Sequence, residues 1–374
     1  MSALGVRMRL LFGEAPKPAT GKVMEALRSV EVNLSDQGPI GFQMNFYVGR
    51  SGRADLPDYK LLEATELRPF NRVILTVSFA LKEEVLVDGY ATDQQLNPGN
   101  EPGTSTLTLT GEDVSVMMDL EEKAYSYPDL SYKRIVEKVV DRYKQFFPVP
   151  LRKVEEAQEA LPNKDRGTEH QPTNYTDREY VQELARRTGF VFYVTPGPEP
   201  ASNGVYWGPP RREKPQKALS ANMGPNTNVE SIDFRFNALA PNKVAFKSEE
   251  GQDKTLGKPS DVRAPLAKTP AATRRTVFFS ETGNLERAPV DAHAQAIVDR
   301  SLDEVVTATG ELDAVRYGGL LRPRGIVELR GVGHTYNGAY YVKSVSHSIQ
   351  KGEYKQRFTL TREGTGALSQ RVQG

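Results

Sequence analysis

Four histidines, His170, His293, His334 and His347, are the first residues to test for chemistry, because imidazole serves both as a metal ligand and as a general base. No two of them stand at a metal-ligand spacing such as H-x-x-x-H, so the sequence offers no metal centre. His334 and His347 fall in or beside expected strands and read as structural or exposed side chains. Carboxylates come next, since a glycosidase needs two across a sugar site. Glu83-Glu84, Glu112-Asp113 and Glu121-Glu122 are adjacent acids on polar segments, the pattern of a solvated face. Trp207 beside Tyr206 has the ring surface to stack on a sugar, but an aromatic pair in a hairpin reads first as packing against a neighbouring helix. Pro209–Lys217, PPRREKPQK, is a short basic linker that reads as solvated. The phosphate-cradling G-x-G-x-x-G and G-x-x-x-x-G-K-[ST] patterns and the nucleophile elbow G-x-S-x-G are absent. The sequence therefore names no catalytic, cofactor-binding or metal-ligating residue. The expectation is a protein without enzymatic activity or cofactor.

Composition narrows the remaining classes. The chain has 374 residues, room for two to four domains. Its 49 basic and 48 acidic residues leave a net charge of +1, which gives no support to nucleic-acid specificity. With no cysteine, disulfide frameworks and thiolate chemistry are excluded. The apolar run in MSALGVRMRLLFGEAPKP is too short for a signal peptide or a membrane span, and no other stretch reaches the ~20 apolar residues a span requires. A soluble protein without a secretion signal is expected.

The elements that must position any site carry an internal repeat. LRPFNRVIL begins at Leu67 and LRPRGIVEL at Leu321. The first is followed by Val85-Leu86-Val87 and then Leu107–Glu112, LTLTGE. The second is followed by Tyr340-Tyr341-Val342 and then Phe358–Glu363, FTLTRE. Each copy reads as three strands: Pro is tolerated where a strand begins, and the last strand alternates apolar residues with Thr. Leu67–Glu112 should therefore superpose on Leu321–Glu363, with Val73 matching Val327 and Leu109 matching Leu360. Repeats of this kind define architecture.

Five regions make up the plan. Residues 1–117 read as a first β-domain, including alternating strands at Ser29–Leu34 and Gly41–Gly49. Residues 118–217 read as an α+β middle domain. Its first helix, Asp129–Phe147, buries Ile135, Val136, Val139, Val140 and Tyr143 and ends at Pro148 and Pro150. Its second helix opens on a Thr176/Glu179 capping box, buries Tyr180, Val181, Leu184 and Ala185, and stops at Gly189. A hairpin follows, from Phe190–Val194 to Val205–Gly208, on which that helix should dock. A second β-domain is split between 218–250, with strands Val229–Asn237 and Asn242–Ser248, and 310–364. Between them, 251–309 is an insertion holding one helix capped by Asp291, and 365–374 is a C-terminal tail. The fold class is α+β, mainly β.

The helix and strand YTDREYVQELARRTGFVFYV and the closing YYVKSVSHSIQKGEYKQRFTLTREG, in this order and spacing, resemble the baseplate hub proteins of contractile injection systems. These are the phage late control protein D family, similar to the N-terminal half of VgrG spike proteins. The resemblance spans nearly the whole chain. It implies two β-barrel-like tube domains per subunit and a homotrimer with pseudo-sixfold symmetry. Such a hub adapts a hexameric inner tube or tube-initiator protein to a trimeric spike and contacts other baseplate proteins. It implies assembly in the bacterial cytoplasm and incorporation into a phage tail or tail-like injection particle. The VgrG branch continues into an OB-fold and a needle, whereas this sequence stops ten residues after Gly364, so a separate spike polypeptide is expected. The alternative is a tail-associated protein that binds or hydrolyses envelope glycan. Mass in solution separates the two, since a hub should be a stable trimer.

Overall fold

In the computed structural model the two LRP copies lie in two β-units that repeat one strand plan. The structure describes residues 6–49, 59, 61–79, 82–101, 104–157, 168–212, 215–247, 252–260, 263–279 and 290–368. The first unit contains β1 (Arg7–Phe12), β2 (Leu27–Ser35), β3 (Gly41–Tyr47), β4 (Arg72–Phe79), β5 (Lys82–Asn97) and β6 (Thr106–Asp113). The middle region follows with α1 (Tyr132–Asp141), β7 (Arg152–Val154), α2 (Asp177–Thr188), β8 (Val191–Pro196) and β9 (Asn203–Gly208). Beyond it run β10 (Leu219–Ser220) and β11 (Val229–Phe236), then β12 (Asn242–Lys247), β13 (Asp253–Leu256), β14 (Arg275–Phe279) and α3 (Val290–Leu302). The second unit closes with β15 (Val306–Asp313), β16 (Ile326–Arg330), β17 (Gly338–Gln350) and β18 (Glu353–Arg362).

Within the first unit the ladder runs β2-β3-β6-β5-β4-β1, and within the second β11-β15-β18-β17-β16-β10. Each neighbour pair corresponds and is antiparallel, except that β1 pairs β4 antiparallel while β10 pairs β16 parallel. Two irregularities fall at matching places, which is strong evidence of a common plan because each bulge shifts the register of everything beyond it, while a third, in the β4–β5 ladder between Leu75 and Thr76, has no counterpart in the β16–β17 ladder. The β2–β3 ladder shifts between Leu27 and Ser29, and the β11–β15 ladder between Val229 and Ser231. The β5–β6 ladder shifts between Ala91 and Asp93, and the β17–β18 ladder between Val342 and Ser344. The LRP loops match to the hydrogen bond. Phe70 and Arg324 are non-glycine residues at positive φ, 62° and 69°. The Phe70 amide donates to the Ala91 carbonyl at 2.6 Å and the Arg324 amide to that of Val342 at 2.8 Å. In return Ala91 donates to Asn71 at 3.0 Å and Val342 to Gly325 at 2.9 Å.

These anchors pair Val73 with Val327, as expected. They also correct one equivalence: Gly111, opposite Ala91, corresponds to Leu360, opposite Val342, so Leu109 corresponds to Phe358. The LTLT and FTLT phrases align by eye two residues out of register because alternation is unchanged by a two-residue slip.

Ser344–Gln350 of β17 pairs antiparallel with Ser29–Ser35 of β2, so the units fuse into one thirteen-stranded sheet among the described residues. No strand closes either unit into a barrel among the described residues; the sheet is open at both ends. Each unit has its own apolar core on one side of the sheet. Val30, Val32, Met44, Phe46 and Leu109 lie in the first, and Ala308, Leu329, Val342, Phe358 and Leu360 in the second.

A third core joins the middle region to the insertion. In α1 the apolar stripe Ile135, Val136, Val139 and Val140 is fully buried. The helix is shorter than Asp129–Phe147: Ser131 caps it through its side chain, Asp129 sits at φ 52°, and turns occupy the segment after Arg142. The capping box on α2 forms, with Thr176 accepting from the Glu179 amide at 3.2 Å and Glu179 accepting from the Thr176 amide at 2.9 Å. Gly189 ends that helix at φ 70°, a left-handed geometry that favours glycine. Leu184 packs with Val194, Val205 and Trp207, so α2 docks on the β8–β9 hairpin.

Three expectations for the second β-domain and its insertion change. The strand Asn242–Lys247 leaves the large sheet and pairs with β13 and β14, and its Val244 and Phe246 join the core of α1, α2 and α3. Val306–Thr309, assigned to the insertion, are instead the first half of β15 in the large sheet. The insertion's helix begins at Val290, which places Asp291 inside the first turn. Thr365, the first residue of the expected tail, pairs with Thr269, next to Gly364 opposite Pro270, and 369–374 lie outside the described residues.

Candidate functional site

The strands β5, β6, β3, β2, β17, β18, β15 and β11 lie side by side and turn one face to solvent. Alternation puts short polar side chains there because the opposite face is buried on both cores. One row across this face reads Gln95, Thr108, Asn45, Ser29 and Gln350, each opposite the next. Thr108 donates to Asn45 at 2.9 Å, and Asn45 to Ser29 at 3.1 Å. A second row reads Asn33, Ser346, Arg357, Glu311 and Ser231. Ser346 donates to Asn33, and Arg357 to Glu311 at 2.7 Å. Lys355 pairs with Glu230. The face satisfies its own hydrogen bonds and matches its charges locally. A concavity of about 460 Å³ opens on it, bordered by Ser231, Asp233, Thr309, Glu311, Ser346 and Arg357. Hydroxyls, amides and paired charges make a hydrated surface without a nucleophile–base pair or a deep apolar pocket.

The residues screened for chemistry are dispersed. His347 is buried in β17, where its Nδ1 lies 2.9 Å from the Tyr354 hydroxyl; burial, and then the Arg322 charge, push its pKa down to about 3. His293 stacks on Phe279 at 4.8 Å, His170 is exposed and bonds Ser126, and His334 lies in a single helical turn. Among the described residues no three His, Asp or Glu side chains gather as a metal site. Glu84 pairs with Arg322 and Lys82, and Glu83 with Arg9. Glu112 pairs with Arg178, and Lys123 lies 3.7 Å from Glu121. Asp113 is buried and accepts from the amides of Ile40 and Ser115; burial raises its pKa. Trp207 is 0 % exposed, donates to the Val181 carbonyl and packs on Phe190, so it presents no ring face to a sugar. Within the basic linker, Arg211 pairs with Glu155 and Arg212 lies 3.7 Å from Asp303.

Sequence reading missed two polar anchors. Asp177, fully buried in the first turn of α2, accepts from Arg142 at 2.7 Å, Tyr143 at 2.8 Å and Lys123 at 3.3 Å, clamping α1 to α2. Asp88 accepts from Arg72 at 2.8 Å and from Asn203 at 2.9 Å, tying the first β-unit to β9. Nothing local marks these pairs, whose partners are distant in sequence.

No family model matches the chain, and no curated protein matches its sequence. Solved structures do match in three dimensions. The 43 kDa tail protein of prophage MuSo2 from Shewanella oneidensis superposes with a TM-score of 0.64 at 12% identity, over 96% of this chain and 99% of that one. A tail protein from Neisseria meningitidis MC58 gives 0.62 at 13% identity, over 97% and 98%. The chain has the fold of phage tail proteins. The same fold extends to the Escherichia coli c3393 protein, a component of the type VI secretion system described as structurally similar to the T4 tail proteins gp27 and gp5 (TM-score 0.54, 12% identity, 90% of this chain and 73% of that one).

Proposed function

We propose that the protein is a structural, non-catalytic hub of a contractile tail or injection system. It is a homotrimer of pseudo-sixfold symmetry that joins a hexameric inner tube to a trimeric spike. The observation that carries this reading is the duplication: two β-units with one strand plan and matching bulges, fused edge to edge with one polar face. A threefold assembly meets a sixfold one equivalently only if each subunit presents two like surfaces, and duplication within the chain supplies them. The polar face then lines the lumen, where short hydrated side chains let cargo pass without adhering. The two units are the tube domains, and the middle region with the insertion lies outside the ring and is available to other baseplate proteins. Assembly takes place in the bacterial cytoplasm, before incorporation into the particle. Light scattering of the purified full chain and electron microscopy test the reading. A trimer with a ring of six like densities is expected, and a stable monomer or a hexamer of identical subunits overturns it.

A further inference from the structure

Within the chain, the second half of β17 holds β2, through Ser344 opposite Ser35, Ser346 opposite Asn33 and Ser348 opposite Glu31. By the matched bulges, the second half of β5 (from Asp93) corresponds to that half of β17, and β11 corresponds to β2. Yet Asp93–Asn97 pairs on one side only, with β6, and β11 pairs only with β15 among the described residues. The chain thus carries one completed junction and both halves of a second, at opposite ends of its sheet. An open strand edge is a template for pairing.

Burial distinguishes the two junctions in the same way. Val30, Val32 and Leu34 of β2 are 1%, 0% and 4% exposed. Their counterparts Ile232 and Phe234 are half-buried, and Phe236 is 45% exposed. A loop contact corresponds too. In the completed junction Arg324 reaches from the second LRP loop to the Ser35 carbonyl at 2.8 Å, just before Gln37. The counterpart of Arg324 is Phe70, 53% exposed, and Leu239, just beyond the open strand β11, is 63% exposed. Where the completed junction has an arginine bonded to backbone carbonyls, the open edges carry exposed apolar residues, which suits a surface that gains its stability only on association.

We infer that β5 of one subunit takes β11 of the next as an antiparallel neighbour in a defined register: Asp93 opposite Asn237, Gln95 opposite Arg235 and Asn97 opposite Asp233 on the polar face, with Gln94 opposite Phe236 and Leu96 opposite Phe234 on the apolar face. Asp93 stands diagonal to Arg235, an attractive placement. Phe70 packs against the segment that carries Leu239. The pairing is head-to-tail, so in the proposed trimer it closes into a ring rather than forming a two-fold dimer. The inference rests on the trimeric hub reading and adds which edges meet and in what register.

Because the chain has no cysteine, a cysteine pair reports this contact alone. The full-length Gln95→Cys/Arg235→Cys variant, mildly oxidised, should form covalent dimers and trimers resolved on a non-reducing gel. Gln95→Cys/Ser231→Cys, four residues out of register, should cross-link at least tenfold less, since a disulfide needs the two Cα atoms within about 7 Å. A trimer by light scattering that fails to cross-link in the first variant, or cross-links equally in the second, overturns the register and leaves the hub reading standing. Efficient dimers of Arg235→Cys alone would show β11 pairing with itself and overturn the inference. A monomer that never cross-links overturns both.

Discussion

β2 and β11 occupy the same place in two copies of one plan, with the same bulge near the start, and they meet opposite fates. β2 lies between β3 and β17 and buries Val30, Val32 and Leu34. Among the described residues β11 has a strand on one side only, and Phe236 is left exposed. Backbone plan decides where an edge is, and neighbours decide whether its apolar residues are core or surface. The same holds across the partner edges, where His347 in β17 is buried and its counterpart Leu96 in β5 is half-exposed. The completed junction buries its apolar residues within one chain; in the proposed trimer the open one acts between chains.

The sharpest way to break this comparison is to charge both strands. Val32→Asp should destabilise the fold by on the order of 4 kcal/mol or more, because it buries an unpaired carboxylate. Phe236→Asp should cost under about 1 kcal/mol in the monomer, as expected for a surface site, while reducing trimer affinity at least tenfold. Chemical denaturation and light scattering read the two effects; equal losses of folding stability would remove the distinction.

Acid provides a second test at the completed junction. His347 titrates at about 3 when folded and near 6.5 when unfolded, so the unfolded chain binds the extra proton as pH falls. Its contribution is therefore fully present above pH 6.5 and is lost progressively down to about pH 3. That is roughly 3 kcal/mol between pH 7 and pH 4. His347→Leu, which installs the residue found at the equivalent Leu96, should flatten that part of the profile. An unchanged slope would show that His347 is hydrated.

Leu184→Ala lies away from both junctions and serves as a control. It should cost about 2–5 kcal/mol through the cavity left under α2, with no change in subunit number. The smallest effect belongs to the polar face. Asn45→Ala, which removes the link between Thr108 and Ser29, should cost about 1 kcal/mol and leave assembly intact. A larger loss would make the face a stabilising network rather than a lining.

Much of the fold was legible locally. The α2 capping box, its Gly189 stop, the apolar stripe of α1 and the two LRP loops are set by residues a few positions apart, and short-range sterics and hydrogen bonds impose them in almost any surroundings. Alternation also told that one face of β6 and β18 is buried. It could not tell which strand lies beside which, because a period of two is blind to the identity of the neighbour and to a slip of two residues. For that reason the phrases alone set Leu109 against Leu360, whereas the bulges place Phe358 there. Asn242–Lys247 has the pattern of a strand in either sheet; only packing against α1, α2 and α3 placed it with β13 and β14. The fusion of β2 to β17, and with it the open edges of β5 and β11, depends on strands more than 300 residues apart. Tertiary structure alone brings such edges together, since backbone amides and carbonyls are chemically alike in every strand.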